Sequence, residues 1–124
     1  VTTAALMSEN THLANPCVTD STPTSANHED HVSMAAHGAF RLLRMSQNLK
    51  KIIAIELLCA AQGVEFRAPL KTSLPLQACI NGLRKDIPPL REDRYLAKDI
   101  ERASEFVGSG ACLRLVSIPI PELD

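Results

Sequence analysis

Apolar residues recur along this chain at helical rather than strand intervals. Val32, Ala35, Ala36, Ala39, Leu42, Leu43, Met45, Leu49, Ile52 and Ile53 fall on one side of a predicted long helix. Arg41, Arg44, Gln47, Lys50 and Lys51 fall mostly on the other. The signal opens near Asn27, whose side-chain oxygen suits an N-cap, with Asp30 three residues on, and runs to about Val64. From Val32, about 33 residues at 1.5 Å each make a helix of roughly 50 Å. Its second half changes character. Ile52-Ile53-Ala54-Ile55-Glu56-Leu57-Leu58-Cys59-Ala60-Ala61 is apolar nearly all round, the pattern of a helix covered on every side. The rest of the chain offers too few helices to cover it, so it is expected to pack against helices supplied from elsewhere. Glu56 would then need a basic or hydrogen-bonding partner, because a buried unpaired carboxylate costs several kcal/mol.

Helix-breaking residues divide the remainder. Val1 to Leu6 is small and apolar and reads as the last turns of a helix. Ser8 to Thr24 is rich in Ser, Thr, Asn and Asp, contains Pro16 and Pro23, and reads as a loop from which Cys17 and Val18 reach a core. Gly63 and Arg67-Ala68-Pro69 stop the long helix. Ser73 and Pro75 open a second helix to about Lys85, with Leu76, Cys79, Ile80 and Leu83 on its apolar side. Pro88-Pro89 breaks it, and Glu92-Asp93-Arg94-Tyr95 reads as a charged surface turn. A third helix is predicted from Leu96 to Val107, closed by Gly108-Ser109-Gly110. The segment from Ala111 to Asp124, with Pro119 and Pro121, reads as extended or as a tail. The expected fold class is all-α, a long central helix with shorter helices folded back along it.

Composition narrows the function classes. The chain has 124 residues, within the range of one small domain. Its net charge is −1 with acids and bases interspersed, so neither nucleic acid nor an anionic membrane has electrostatic support as a partner. No stretch is long and apolar enough to span a bilayer, and the N-terminus has no signal-peptide pattern. The absence of an initiating Met fits a piece of a longer chain. Cys17, Cys59, Cys79 and Cys112 lie far apart without a Cys-x-x-Cys pair. Reduced thiols in a cytoplasmic protein are therefore expected, rather than a zinc site or a disulfide framework.

The candidate chemistry sits in Ser25-Ala26-Asn27-His28-Glu29-Asp30-His31-Val32-Ser33-Met34. His28-Glu29-Asp30-His31 departs from the zinc-protease pattern, which places two residues between the Glu and the second His where this chain has one. No metal is expected. On the predicted helix Glu29 falls in the first turn, where the dipole favours an anion that could hold an ammonium or imidazolium. The plain alternative is a polar, capped helix start.

Thr24 to Met34 resembles the segment Thr-Ser-Ala-Asn-Gln-Glu-Asp-His-Val-Ser-Met of the histidine ammonia-lyases, in the aromatic amino acid ammonia-lyase family. The resemblance continues through Ala54 to Gly63, Arg67-Ala68-Pro69-Leu70 and Asp99-Ile100-Glu101, and includes Ser8-Glu9-Asn10. It covers roughly residues 3 to 108 and only the C-terminal portion of such an enzyme. Residues 1–24 would be an approach segment and loop, 25–66 the motif and long helix, 67–108 two shorter helices, and 109–124 a tail. All would be part of an elongated helical bundle.

The resemblance implies elimination of ammonia from L-histidine to give trans-urocanate, in histidine catabolism. The implied cofactor is a protein-derived methylidene-imidazolone formed from an internal Ala-Ser-Gly. The implied assembly is a homotetramer whose active sites draw on several subunits, so the expected partners are other segments or subunits of the same lyase and a small amino acid substrate. Glu29 matches the Glu that lines the substrate pocket, as catalytic and substrate-binding residue. Relatives acting on phenylalanine or tyrosine commonly carry Gln there. His28 stands where the family motif has Gln and is a candidate substrate-binding residue. No Ala-Ser-Gly occurs in the chain, so the chain by itself is expected to be inactive. Two alternatives remain: a fragment of a tyrosine or phenylalanine ammonia-lyase or aminomutase, and a non-enzymatic helical module that associates through its apolar helix.

Overall fold

A computed structural model describes residues 1–116. They are all-α: helices α1 (Thr2–Leu13), α2 (Ala35–Glu65), α3 (Leu74–Leu83), α4 (Ala97–Gly108) and α5 (Ala111–Val116), with a short 3₁₀ turn at Ser25–Asn27. The described residues contain no strand, and none of their helices is long and apolar enough to cross a membrane. The chain forms two compact units, Val1–Leu49 and Lys50–Asp124.

In the first unit α1 is longer than its sequence suggests. The loop expected from Ser8 is helical to Leu13, because its polar side chains find partners that leave the backbone ladder intact. Thr11 returns its hydroxyl to the Met7 carbonyl at 3.0 Å. Glu9 accepts from Arg44 Nε and from Asn48 Nδ2, both at 3.0 Å. Asn10 accepts from Asn48 Nδ2 at 2.9 Å and donates to the Met45 carbonyl at 3.2 Å. The amide of the buried Asn48 therefore donates twice to α1, and the network fastens α1 to the third and fourth turns of α2.

The start of α2 also differs from expectation. The helix begins at Ala35, not near Asn27, so neither Glu29 nor Asp30 lies in its first turn. Ser25, Ala26 and Asn27 have φ of 51°, 55° and 67°, a left-handed turn that cannot lead into a right-handed helix. The helix starts instead from Ser33, whose hydroxyl accepts from Ala35 N at 3.3 Å, and Met34, whose carbonyl accepts from Gly38 N at 3.0 Å. Cys17 is buried as expected, against Gly38 within the first unit. Val18 is not, and stays exposed.

The second unit holds the apolar core. Ala54 and Ala61 of α2, Ile80 and Leu83 of α3, Ile87, and Ala103 of α4 form one buried cluster, flanked by Leu57, Leu58, Val64, Phe106 and Val107. Alanines at 54, 61 and 103 let the helices approach closely. Among the described residues, one face of the apolar run in α2 is covered and the other is not. Ile53, Cys59 and Ala60 are exposed, and so is Glu56, which faces solvent and needs no ionic partner. Polar staples tie the connections down. Arg84 pairs with both Glu65 oxygens at 2.7 and 2.9 Å, and Leu90 N donates to Gln62 Oε1 at 2.7 Å.

Two cysteines correct the expectation of free thiols. Cys79 on α3 and Cys112 on α5 form a disulfide across 33 residues of sequence, while Cys17 and Cys59 are free. Spacing alone could not show the pair, because α3 and α5 meet only through tertiary packing. The same packing makes Ala111–Val116 helical rather than extended. Gly110, at φ +71°, turns the chain back, and Arg114 donates to the Ser109 carbonyl at 2.6 Å. Gly82 leaves room on α3 for Leu115, whose Cδ1 would lie 2.5 Å from any Cβ at that position. The remainder of the expected tail, residues 117–124, lies outside the described residues.

Candidate functional site

The candidate residues gather on a closed loop ahead of α2. Thr24 and Glu29 face each other as an antiparallel bridge. Thr24 N donates to the Glu29 carbonyl at 2.9 Å, and Glu29 N returns a bond to the Thr24 carbonyl at 3.3 Å. His28 N donates to the Ser25 carbonyl at 3.1 Å, closing the turn inside the bridge. Val32 N donates to Ser21 Oγ at 2.8 Å, tying the exit of the loop to its approach.

Three consecutive left-handed residues cost roughly 1–2 kcal/mol each when they are not glycine. The four bonds just named contribute roughly 1 kcal/mol each, so they offset a cost of the same order. Strain of this kind persists where surrounding bonds over-determine the backbone, and it concentrates at functional sites.

The result is a carboxylate with defined surroundings. Glu29 Oε2 accepts the Thr24 hydroxyl at 3.2 Å. Both Glu29 and His28 are exposed in this chain. An ionised carboxylate only accepts, and Glu29 Oε1 remains available for a donor such as an imidazole N–H or an ammonium. Because Glu29 lies outside the first turn of α2, its binding capacity comes from the loop and not from the helix dipole, whose influence fades within one turn. The structure brings His28 and Glu29 together on one turn, as adjacent residues. Among the described residues no three His, Cys, Asp or Glu side chains converge as a metal site would need.

Thr24 is the neighbour of Glu29 that sequence reasoning did not single out. It stands at the head of the motif, but its pairing with Glu29 depends on the left-handed turn. Ser-Ala-Asn does not announce that turn, since of the three only Asn visits this region readily.

Other charged candidates turn out to be structural. Arg94 donates to Asp99 Oδ2 at 2.9 Å and to the carbonyls of Pro89 at 3.1 Å and Pro88 at 2.7 Å, so its guanidinium is spent holding the connector. Tyr95 is exposed, as a surface turn predicts. Within the second unit an apolar cavity of about 330 Å³ opens between Ile55, Leu58, Cys59, Phe66, Leu90 and Ile100.

The aromatic amino acid lyase family matches residues 1–85 of this chain. The histidine ammonia-lyase of Roseobacter denitrificans is 63% identical over 119 residues, covering 96% of this chain and 23% of that protein. The crystal structure of histidine ammonia-lyase from Trypanosoma cruzi superposes with a TM-score of 0.91 at 40% identity, over 98% of this chain and 24% of that one. A tyrosine aminomutase from Streptomyces globisporus superposes with a TM-score of 0.86 at 34% identity, over 92% and 22%. The chain thus spans about a quarter of the length of the relatives it matches. Sequence match and fold agree, and the chain belongs to the aromatic amino acid lyase family.

Proposed function

We propose that this chain is the Glu29-bearing, C-terminal portion of a histidine ammonia-lyase, which eliminates ammonia from L-histidine to give trans-urocanate. The observation that carries the reading is the bridged loop. It holds an acidic side chain with Oε1 open to a donor, and the motif resemblance is what assigns that side chain to the substrate pocket. A fixed carboxylate complements the imidazole N–H or the α-ammonium of histidine, and it has little to offer an apolar ring. This favours histidine over tyrosine or phenylalanine, although an aminomutase shares the fold.

The methylidene-imidazolone of the family is an electrophile that activates the amino group for departure. The residues present do not fit it, because no Ala-Ser-Gly occurs among them, and the group would come from another segment or subunit. What this chain supplies is orientation and charge. Glu29 Oε1 accepts a substrate N–H, and the loop keeps that oxygen in place while the substrate reacts. The same reading makes the working enzyme a homo-oligomer, a tetramer as in the family, located in the cytoplasm. The free Cys17 and Cys59 fit that location better than the Cys79–Cys112 disulfide does.

The test is reconstitution. The purified chain alone is expected to form no urocanate, read as ultraviolet absorbance. A chimera in which this chain replaces the matching quarter of the Roseobacter denitrificans relative is expected to form it from histidine and not from tyrosine. Substituting Glu29→Gln should lower kcat/KM for histidine at least tenfold, the size of one hydrogen bond to a charged group. Activity of the chain alone, or a chimera that accepts tyrosine as readily, would sink the proposal.

A further inference from the structure

The reading above uses the bridged loop only as a holder of Glu29, and the Thr24 side chain has a specific geometry of its own beside that carboxylate. Thr24 holds Glu29 at both backbone polar groups, at 2.9 and 3.3 Å, and its hydroxyl reaches one carboxylate oxygen, Oε2, at 3.2 Å. The left-handed turn over Ser25, Ala26 and Asn27 is what brings residues 24 and 29 opposite each other. An exposed Glu side chain otherwise samples several rotamers, and ordering it costs conformational entropy. From these observations we propose that Thr24 is a positioning residue for Glu29: its hydroxyl occupies Oε2, restricts the carboxylate to one orientation, and leaves Oε1 as the oxygen offered to the substrate.

This inference rests on the assignment of Glu29 to the substrate pocket, but it makes separate demands. A hydroxyl is required at position 24 and a β-branched shape is not. Ser should therefore replace Thr, and the near-isosteric Val should not. Val leaves the backbone bridge intact, since neither of its bonds involves the side chain. The effect must also vanish when the carboxylate is gone, because Thr24 acts only through it.

Two measurements test the inference, one on the purified chain and one on the chimera. In the chain, NMR side-chain couplings of Glu29 should report a single dominant rotamer, which averages in Thr24→Val and persists in Thr24→Ser. Averaging already present before substitution, or unchanged couplings in Thr24→Val, would overturn the inference without any assay of activity. In the chimera, Thr24→Val should lower kcat/KM about tenfold and divide between kcat and KM as Glu29→Ala does, while Thr24→Ser stays within about twofold. Placed on Glu29→Ala, Thr24→Val should change kcat/KM by less than about twofold. An equal loss in both backgrounds would make Thr24 merely structural and overturn the inference. If Glu29→Ala lowers activity and Thr24→Val does not, Thr24 has no positioning role and the pocket assignment stands. If Glu29→Ala costs nothing, the pocket assignment fails and this inference falls with it.

Discussion

Glu29 and His28 are neighbours in sequence with opposite degrees of constraint. Glu29 is gripped at its backbone and at one carboxylate oxygen, whereas His28 contributes only its backbone N–H to the turn. The His28 side chain is exposed, and the described hydrogen bonds do not include it. Replacing it by the family's Gln should therefore leave folding almost untouched. His28→Gln is expected to shift stability by less than about 0.5 kcal/mol, read as the urea midpoint of the purified chain. Arg84 presents the contrary case. It is half-hidden, makes both of its strong bonds to Glu65, and also donates to the Ile87 carbonyl at 3.3 Å. Arg84→Met would leave the Glu65 carboxylate partly enclosed and unpaired. That should cost about 2 kcal/mol, between the values for exposed and fully buried pairs, measured by the same denaturation.

The helices differ in what keeps them helical. α2 is long enough to sustain its own ladder, but α5 is only six residues, well below the length at which an isolated helix forms. Its order comes from α3, through the Cys79–Cys112 bond and the seat that Gly82 leaves for Leu115. A cross-link spanning 33 residues of sequence restricts the unfolded chain by about 3–4 kcal/mol on the loop-entropy model. Reduction, or Cys79→Ser, should lower the urea midpoint accordingly and remove amide-exchange protection from α5 first. Unchanged stability under reducing conditions would show that the two thiols do not pair in solution.

At the scale of the molecule, the described residues leave large apolar side chains in water. Phe40, Leu42, Leu43 and Leu49, all on the first half of α2, are between 52% and 72% exposed. Large apolar side chains exposed on one helix gain free energy when another surface covers them. Since the relatives are about four times as long, the face has further chain and further subunits as candidates to cover it. The purified chain is expected to sediment as an oligomer rather than at 13.5 kDa, with Leu42→Glu or Leu43→Glu shifting it toward the monomer. A monodisperse monomer at micromolar concentration would remove the case for association.

Periodicity alone determined that this protein is helical, and where most of its helices stop. The apolar spacing after Val32, the proline breaks at Pro69 and Pro88-Pro89, and the glycines at 108 and 110 are local instructions, and each was legible within one or two turns of chain. So was the acidic motif, through its resemblance to the lyases. What sequence could not show depends on groups distant along the chain. Ser8 to Leu13 became helix because Asn48 and Arg44, more than 30 residues on, donate to its Glu9 and Asn10 side chains. Glu56 proved to be exposed because α3 and α4 cover only the opposite side of α2. Cys79 found Cys112 because Gly82 admits α5. The start of α2 moved to Ala35 because Thr24 and Glu29 pair across a left-handed turn, a contact whose cost is local and whose compensation is shared with Ser21. Helical periodicity is set by neighbours three and four residues apart. A bridge, a disulfide or a buried amide is set by whatever the folded chain brings within about 3 Å, and only tertiary structure decides that.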